Sequence, residues 1–209
     1  GLFKLDFENL RIASVLGRIG LAWSIAAVLY LNFGVKTRAA IAVAVLAGYG
    51  ALSALVAAPD AAGAGPLTFE GNLAGYIDRQ FLPGKLIYGS FDPEGLLSTV
   101  PAVVTAMLGM FTGEFVRRGD IRGGRKTLWM AAAAAALLAA GLAFSGVLPV
   151  NKKLWSSTFV CVVGAYSLGM FALFYYLIDV RGWRRWTLFF RVVGLNSITI
   201  YLAQRIVGF

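Results

Sequence analysis

Six apolar segments, each close to the length of a membrane-crossing helix, constrain this chain more than any other feature. They run roughly over residues 15–33, 39–58, 95–116, 128–148, 154–178 and 189–209. Bilayer hydrocarbon about 30 Å thick takes about 20 apolar residues per helix. Backbone groups inside it must be satisfied within the segment, which favours helices. With 59% apolar and 14% charged residues, little is left to coat a water-soluble surface. The predicted fold is all-α: one transmembrane bundle over residues 1–209, with about six spans in a lipid bilayer.

Charge orients the bundle. Alternate connections must face opposite sides, and cytoplasmic ones are enriched in Lys and Arg. One side carries eleven such residues (Lys36, Arg38, Arg117, Arg118, Arg122, Arg125, Lys126, Arg181, Arg184, Arg185, Arg191) against three acidic ones. The other carries eight against seven, among them Lys4, Asp6, Glu8 and Arg205. The basic loops are therefore expected to be cytoplasmic. The net charge of +9 sits between apolar runs rather than on a soluble basic face, so it does not point to nucleic acid.

The long connection, residues 59–94, is expected outside the membrane on the less basic side. Leu73, Tyr76, Ile77, Gln80 and Phe81 recur at helical spacing with Asp78 and Arg79 off that face. This predicts a short helix lying on the outer membrane surface. Gly109 and Gly113 give a GxxxG spacing that suits close helix packing.

The chain has no histidine and a single cysteine, Cys161. Neither an internal disulfide nor a cysteine- or histidine-based metal site is expected. Walker-type phosphate loops and serine-nucleophile motifs are also missing.

Polar groups at span ends carry what chemistry the sequence offers. Asp92-Pro93-Glu94-Gly95 opens the third span. It reads either as a helix start, with Asp92 as N-cap and Pro93 at the first position, or as a carboxylate pair able to bind an amine and take its proton. Pro101 lies just inside and frees a carbonyl. Arg18 falls inside the apolar region, where an arginine either snorkels outward or marks a site; Arg11, seven residues earlier, shares its face if the helix begins early. Asn151-Lys152-Lys153-Leu154-Trp155 forms a tight outer turn, either merely solvated or facing an anionic partner. Asn196, Ser197, Thr199 and Gln204 in the last span suit interhelical hydrogen bonds or a ligand path. Arg117 to Lys126 suits a positive-inside loop or phosphate binding.

In these same segments the chain resembles the heparan-α-glucosaminide N-acetyltransferases and their bacterial relatives. The resemblance is carried by Leu10-Arg11-Ile12, Val15-Leu16-Gly17-Arg18-Ile19-Gly20, Ala74-Gly75-Tyr76-Ile77-Asp78-Arg79, Asp92-Pro93-Glu94-Gly95, Pro149-Val150-Asn151-Lys152 and Leu154-Trp155-Ser156. Asp179-Val180-Arg181-Gly182 and Asn196-Ser197-Ile198 complete it. It implies a multipass enzyme of a bacterial cytoplasmic membrane that takes acetyl from cytosolic acetyl-CoA and gives it to the amine of a glucosamine-type sugar outside.

The resemblance further implies Asp92 and Glu94 as catalytic groups, and Asp78, Arg79, Asn151, Lys152 and Trp155 as sugar-binding ones. Arg11, Arg18, Asn196 and Ser197 would hold the acetyl donor. The family's essential histidine lies in an upstream outward loop. With Gly1 at its start and no histidine, the chain is expected to be the carboxy-terminal two-thirds of such an enzyme. Its oligomeric state, including a homodimer, stays open. The rival function is a transporter or flippase of an amino sugar or cell-envelope intermediate.

Overall fold

A computed structural model describes residues 11–207, with side chains through Ala203. Leu10, Lys4, Asp6 and Glu8, and the side chains of Gln204 and Arg205, lie outside the described residues. The chain is all-helical, and among the described residues only two isolated antiparallel bridges interrupt that character: Arg11 with Gly84 and Ala57 with Asn72.

Five helices are long and apolar enough to cross a membrane. They are α1 (Val15–Asn32), α2 (Val35–Leu55), α4 (Leu96–Arg117), α5 (Gly123–Ala143) and α6 (Ser157–Tyr175), the last continued by a π-helical turn, Tyr176–Val180. Two of them start four or five residues earlier than hydropathy suggests. Lys36, Arg38, Arg125 and Lys126 occupy their first turns, and long basic stems pack along a helix while their heads reach polar partners. The π turn ends where Gly182 takes φ +70° and the Trp183 amide donates back to Leu177. A left-handed glycine commonly closes a helix in this way.

The sixth expected span is not one helix. Among the described residues it is split into α7 (Thr187–Leu195) and α8 (Ser197–Val207). Asn196 stands between them with φ −109° and ψ 17°, and its side-chain amide donates to Val192 O at 2.8 Å. Asparagine readily offers such local alternatives to the helical ladder. Apolar composition alone does not register the break.

Helix α4 is the axis of the bundle, touching α1, α2, α3 and α6 and, more lightly, α5; α5 and α6 form the closest pair. Small residues allow this: Ala22 and Ala26 of α1 and Ala42 of α2 are buried against Ala102, Val103, Val104 and Met107 of α4. Gly141 and Gly164 hold α5, α6 and α4 at distances where a Cβ would already touch a neighbouring side chain. Gly109 and Gly113 have open space over their Cα atoms, so their GxxxG spacing is not a helix contact here.

The connection 56–95 folds back over one end of the bundle. Its helix α3 (Leu73–Phe81) is where periodicity placed it, but turned differently. The buried face is Ala74, Gly75 and Asp78, docked on the start of α4, while Phe81 is exposed. Asn72 caps the helix through its side-chain oxygen, 2.6 Å from the Gly75 amide. A buried carboxylate with strong partners outweighs the apolar stripe in setting the orientation.

Candidate functional site

At the loop-covered end, five segments bring six charged or aromatic side chains together. Helix α4 begins at Leu96 with Gly95 as its cap residue, so Asp92 is not the N-cap that its spacing suggests. The capping oxygen comes from another helix. Asp78 of α3, fully buried, accepts from the Leu96 amide at 3.0 Å and from the Asp92 amide at 3.1 Å. It approaches so closely that a side chain at Gly95 would run into its carboxylate. Burial, helped by the neighbouring Asp92 charge, pushes the Asp78 carboxyl up to about 6, even though the two amides and Arg18 favour its charged form.

Freed from capping, Asp92 pairs with Arg11. The guanidinium grips it with Nε at 2.7 Å and Nη2 at 2.6 Å, and the same Nη2 reaches Glu94. The Asp92 side chain has 0% exposure, whereas Glu94 keeps 17%. Burial alone would raise the Asp92 carboxyl; the Arg11 fork and the amides of Glu94 and Ile87 outweigh it and hold it below the ordinary range. Arg11 arrives there because its backbone bridges Gly84 in the loop.

Arg18 does not snorkel. It is buried in the first turn of α1, donating to Pro93 O and to Ser98 Oγ of α4, and its guanidinium lies over the Trp155 ring at 4.7 Å. Its Nε has no partner. Trp155 itself has φ +51°, the left-handed region, which costs a bulky residue about 1–2 kcal/mol. The surrounding turn enforces it: Asn151 Oδ1 accepts from the Lys153 amide at 2.8 Å, and the buried Tyr49 hydroxyl donates to Leu154 O. The Trp155 Nε1 donates to Thr105 Oγ1 at 3.2 Å, a turn beyond Pro101 on α4.

Two cavities flank this cluster. One, of about 490 Å³, opens at the loop-covered end between Phe69, Asn72, Phe91, Asn151, Lys152 and Leu154. Phe69 meets Tyr88 and Phe91 edge to face beside it, the latter two rings are tilted on each other, and Lys153 Nζ lies 4.4 Å above the Tyr88 ring. The other, about 780 Å³, is a groove between α4, α5 and α6, running from Thr105 toward the basic end at Phe115 and Trp129. Gly109, Gly113 and Gly164 lie along it. Among the described residues, no three Asp, Glu, Cys or His side chains converge as a metal site would require.

Of the residues singled out in the sequence, Arg11, Arg18, Asp78, Asp92, Glu94 and Trp155 meet in one cluster, and Asn151 and Lys152 line the neighbouring cleft. Arg79 turns away, pairing with Asp60 at 2.6 Å and donating to Ser90 O at 2.5 Å, which ties the loop together. Asn196 and Ser197 are not brought to the cluster: among the described residues, α7 and α8 pack on each other and on no other helix. At the basic end, Lys126 donates to the last carbonyls of α4 through Val116 O at 2.7 Å, and Arg118 pairs with Asp120. Ser98, Thr105 and Tyr49 join the site without any signal in the sequence, since lone hydroxyls in apolar helices commonly bond their own backbone.

The chain is 31% identical over 157 residues to human heparan-alpha-glucosaminide N-acetyltransferase and 30% identical over 154 residues to the mouse protein of that name. Each alignment covers 65% of this chain and 23% of the relative, so the chain spans about a quarter of the relatives' length. No family model matches it.

Proposed function

We propose, from the chain's similarity to the heparan-alpha-glucosaminide N-acetyltransferases, that it is the sugar-facing part of a membrane N-acetyltransferase. Acetyl-CoA would arrive at the basic, cytoplasmic end, and the acceptor would be the amine of a glucosamine-type sugar at the loop-covered end. The membrane we assign is a bacterial cytoplasmic one.

One observation carries this reading. The groove starting at the basic end stops at Thr105, and Thr105, Trp155, Arg18 and Pro93 then follow one another in direct contact up to the Asp92–Glu94 carboxylates. A donor on one side and an acceptor on the other need such a continuous route. The groove suits a long, thin chain with occasional hydrogen-bonding groups: it is largely apolar, offers the hydroxyls of Thr105, Thr112 and Ser167, and reaches Trp129 and Met130 in the part of α5 that follows its basic first turn. Acetyl-CoA supplies an activated acetyl thioester.

What the chain's own groups do follows from their burial. Asp92, sealed by Arg11, orients; Glu94, partly open, is the carboxylate able to hold an ammonium and take a proton from it. Arg18, with an unpartnered Nε, has a donor left for a carbonyl or hydroxyl. The cleft between Phe69 and Lys152 suits a sugar ring, with apolar faces for its C–H surface and Asn72, Asn151 and Lys152 for its hydroxyls. The chain holds no histidine, so we give its residues binding, orienting and proton-holding roles.

The test uses the full-length protein in sealed proteoliposomes, with acetyl-CoA on the basic-loop side and glucosamine or short glucosaminides on the other. A product heavier by one acetyl group, formed only across the membrane, is the expected result. Saturable sugar passage without acetylation would instead establish a transporter.

A further inference from the structure

Trp155 combines three properties that no other described residue shares. It is the one non-glycine residue with positive φ among those described, its indole N–H is tied to the last residue of the membrane groove, and its ring face carries the buried Arg18. Neither packing nor turn formation requires a tryptophan in a left-handed conformation; glycine or asparagine takes that position at less cost. The strained backbone there points to a use for where the aromatic side chain projects. It projects between the groove, which reaches toward the basic end, and the polar cluster at the other.

We propose that the Trp155 indole is a gate, closing the passage between the α4–α5–α6 groove and the outer Arg18–Glu94 cluster and opening when its bond to Thr105 is released. The proposal rests on reading the groove as the acyl donor's route. Its fixed parts are the Asn151 turn and the Tyr49–Leu154 contact, which hold the Trp155 backbone while the indole remains only half-buried. Its latch is a single 3.2 Å hydrogen bond to a threonine hydroxyl, and its outer stop is the guanidinium of Arg18, itself anchored on Pro93 O and Ser98. A closed indole excludes water from the donor end of the route while no acceptor is bound; a sugar that displaced Arg18 from the ring would leave the threonine bond and the edge-to-face contact with Phe159 to break.

The test reads access rather than acetylation, so it can fail independently of the proposed function. In full-length protein with Cys161→Ala, a Ser167→Cys reporter in the groove is exposed to a charged, membrane-impermeant thiol reagent added only at the loop-covered side of sealed proteoliposomes. With Trp155 present, labelling should be slow. Trp155→Gly, which removes the indole and relieves the positive φ, should accelerate it at least about tenfold, the change expected when a closed–open equilibrium loses its closed state. Trp155→Phe should stay slow. Should the glycine variant fail to fold, Thr105→Val, which unties the latch and leaves the ring, should accelerate labelling at least about threefold. Equal rates with and without the indole, or no labelling in either protein, overturn the gate. Absence of acetylation by the unaltered full-length protein, with the labelling difference intact, would overturn the acetyltransferase reading and leave the gate standing as the groove's access barrier.

Discussion

The two carboxylates two residues apart play unequal parts, and burial decides which is which. Asp92 is wholly enclosed and gripped by the Arg11 fork, so Asp92→Asn leaves a guanidinium partly uncompensated and should cost about 3 kcal/mol. An N-cap would have tolerated the same change with little loss. Glu94 keeps access to solvent and meets Arg11 through one oxygen, so Glu94→Gln should cost under about 1 kcal/mol. Acetylation assays beside thermal melts in detergent separate the two: Glu94→Gln should lose activity with its melting temperature nearly unchanged, and Asp92→Asn should lose both. A Glu94→Gln protein of full activity would remove the proton-holding role. The pairing of Arg11 with Asp92 joins residues 81 positions apart, which no spacing rule reveals.

At the scale of elements, the decisive contact is α3 against the start of α4, made by one carboxylate. Because the folded protein holds the Asp78 proton up to about pH 6 while an unfolded chain releases it near 4, this group's stabilisation is fully present below about pH 4 and is lost as pH rises through about 6. Asp92 acts in the opposite sense: its stabilisation is present above the ordinary carboxylate range and is lost as pH falls through its lowered value. Melting temperature should therefore climb as pH drops from 7 toward 5 and fall again below about 4. Asp78→Asn should abolish the first limb and spare the second; a first limb that survives it would show another group to be responsible. The helix α3 itself is legible in the sequence from periodicity and the Asn72 cap. Its orientation is not, because the apolar stripe points one way and the buried Asp78 another, and only a partner helix with free amides makes the second arrangement cheaper.

Over the whole molecule, five helices between Val15 and Val180 are long and apolar enough to cross a membrane, and a chain crossing with all five has the two ends of that stretch on opposite faces. The basic connections then fall together at one end and the site at the other, as the distribution of Lys and Arg anticipates. Single cysteines at Arg122 and Lys152 are separated by α5 alone. In Cys161→Ala protein in intact cells, an impermeant maleimide should label Lys152→Cys from outside and reach Arg122→Cys only after permeabilisation. Labelling of both from one side would reject the orientation on which donor and acceptor are assigned.

The sequence by itself determined the class of fold, five helices long and apolar enough to cross a membrane, and the existence of the short helix α3. Apolar length and loop charge are local quantities, and the bilayer acts on them directly. Tertiary structure decided the rest. It split the last apolar run at Asn196, transferred capping of α4 from Asp92 to Asp78, and sent Arg79 to Asp60 while leaving Asn196 and Ser197 apart from the cluster. Each of these outcomes depends on which polar group finds a partner once helices are packed, and in a low-dielectric interior an unpaired group costs more than local preference can repay.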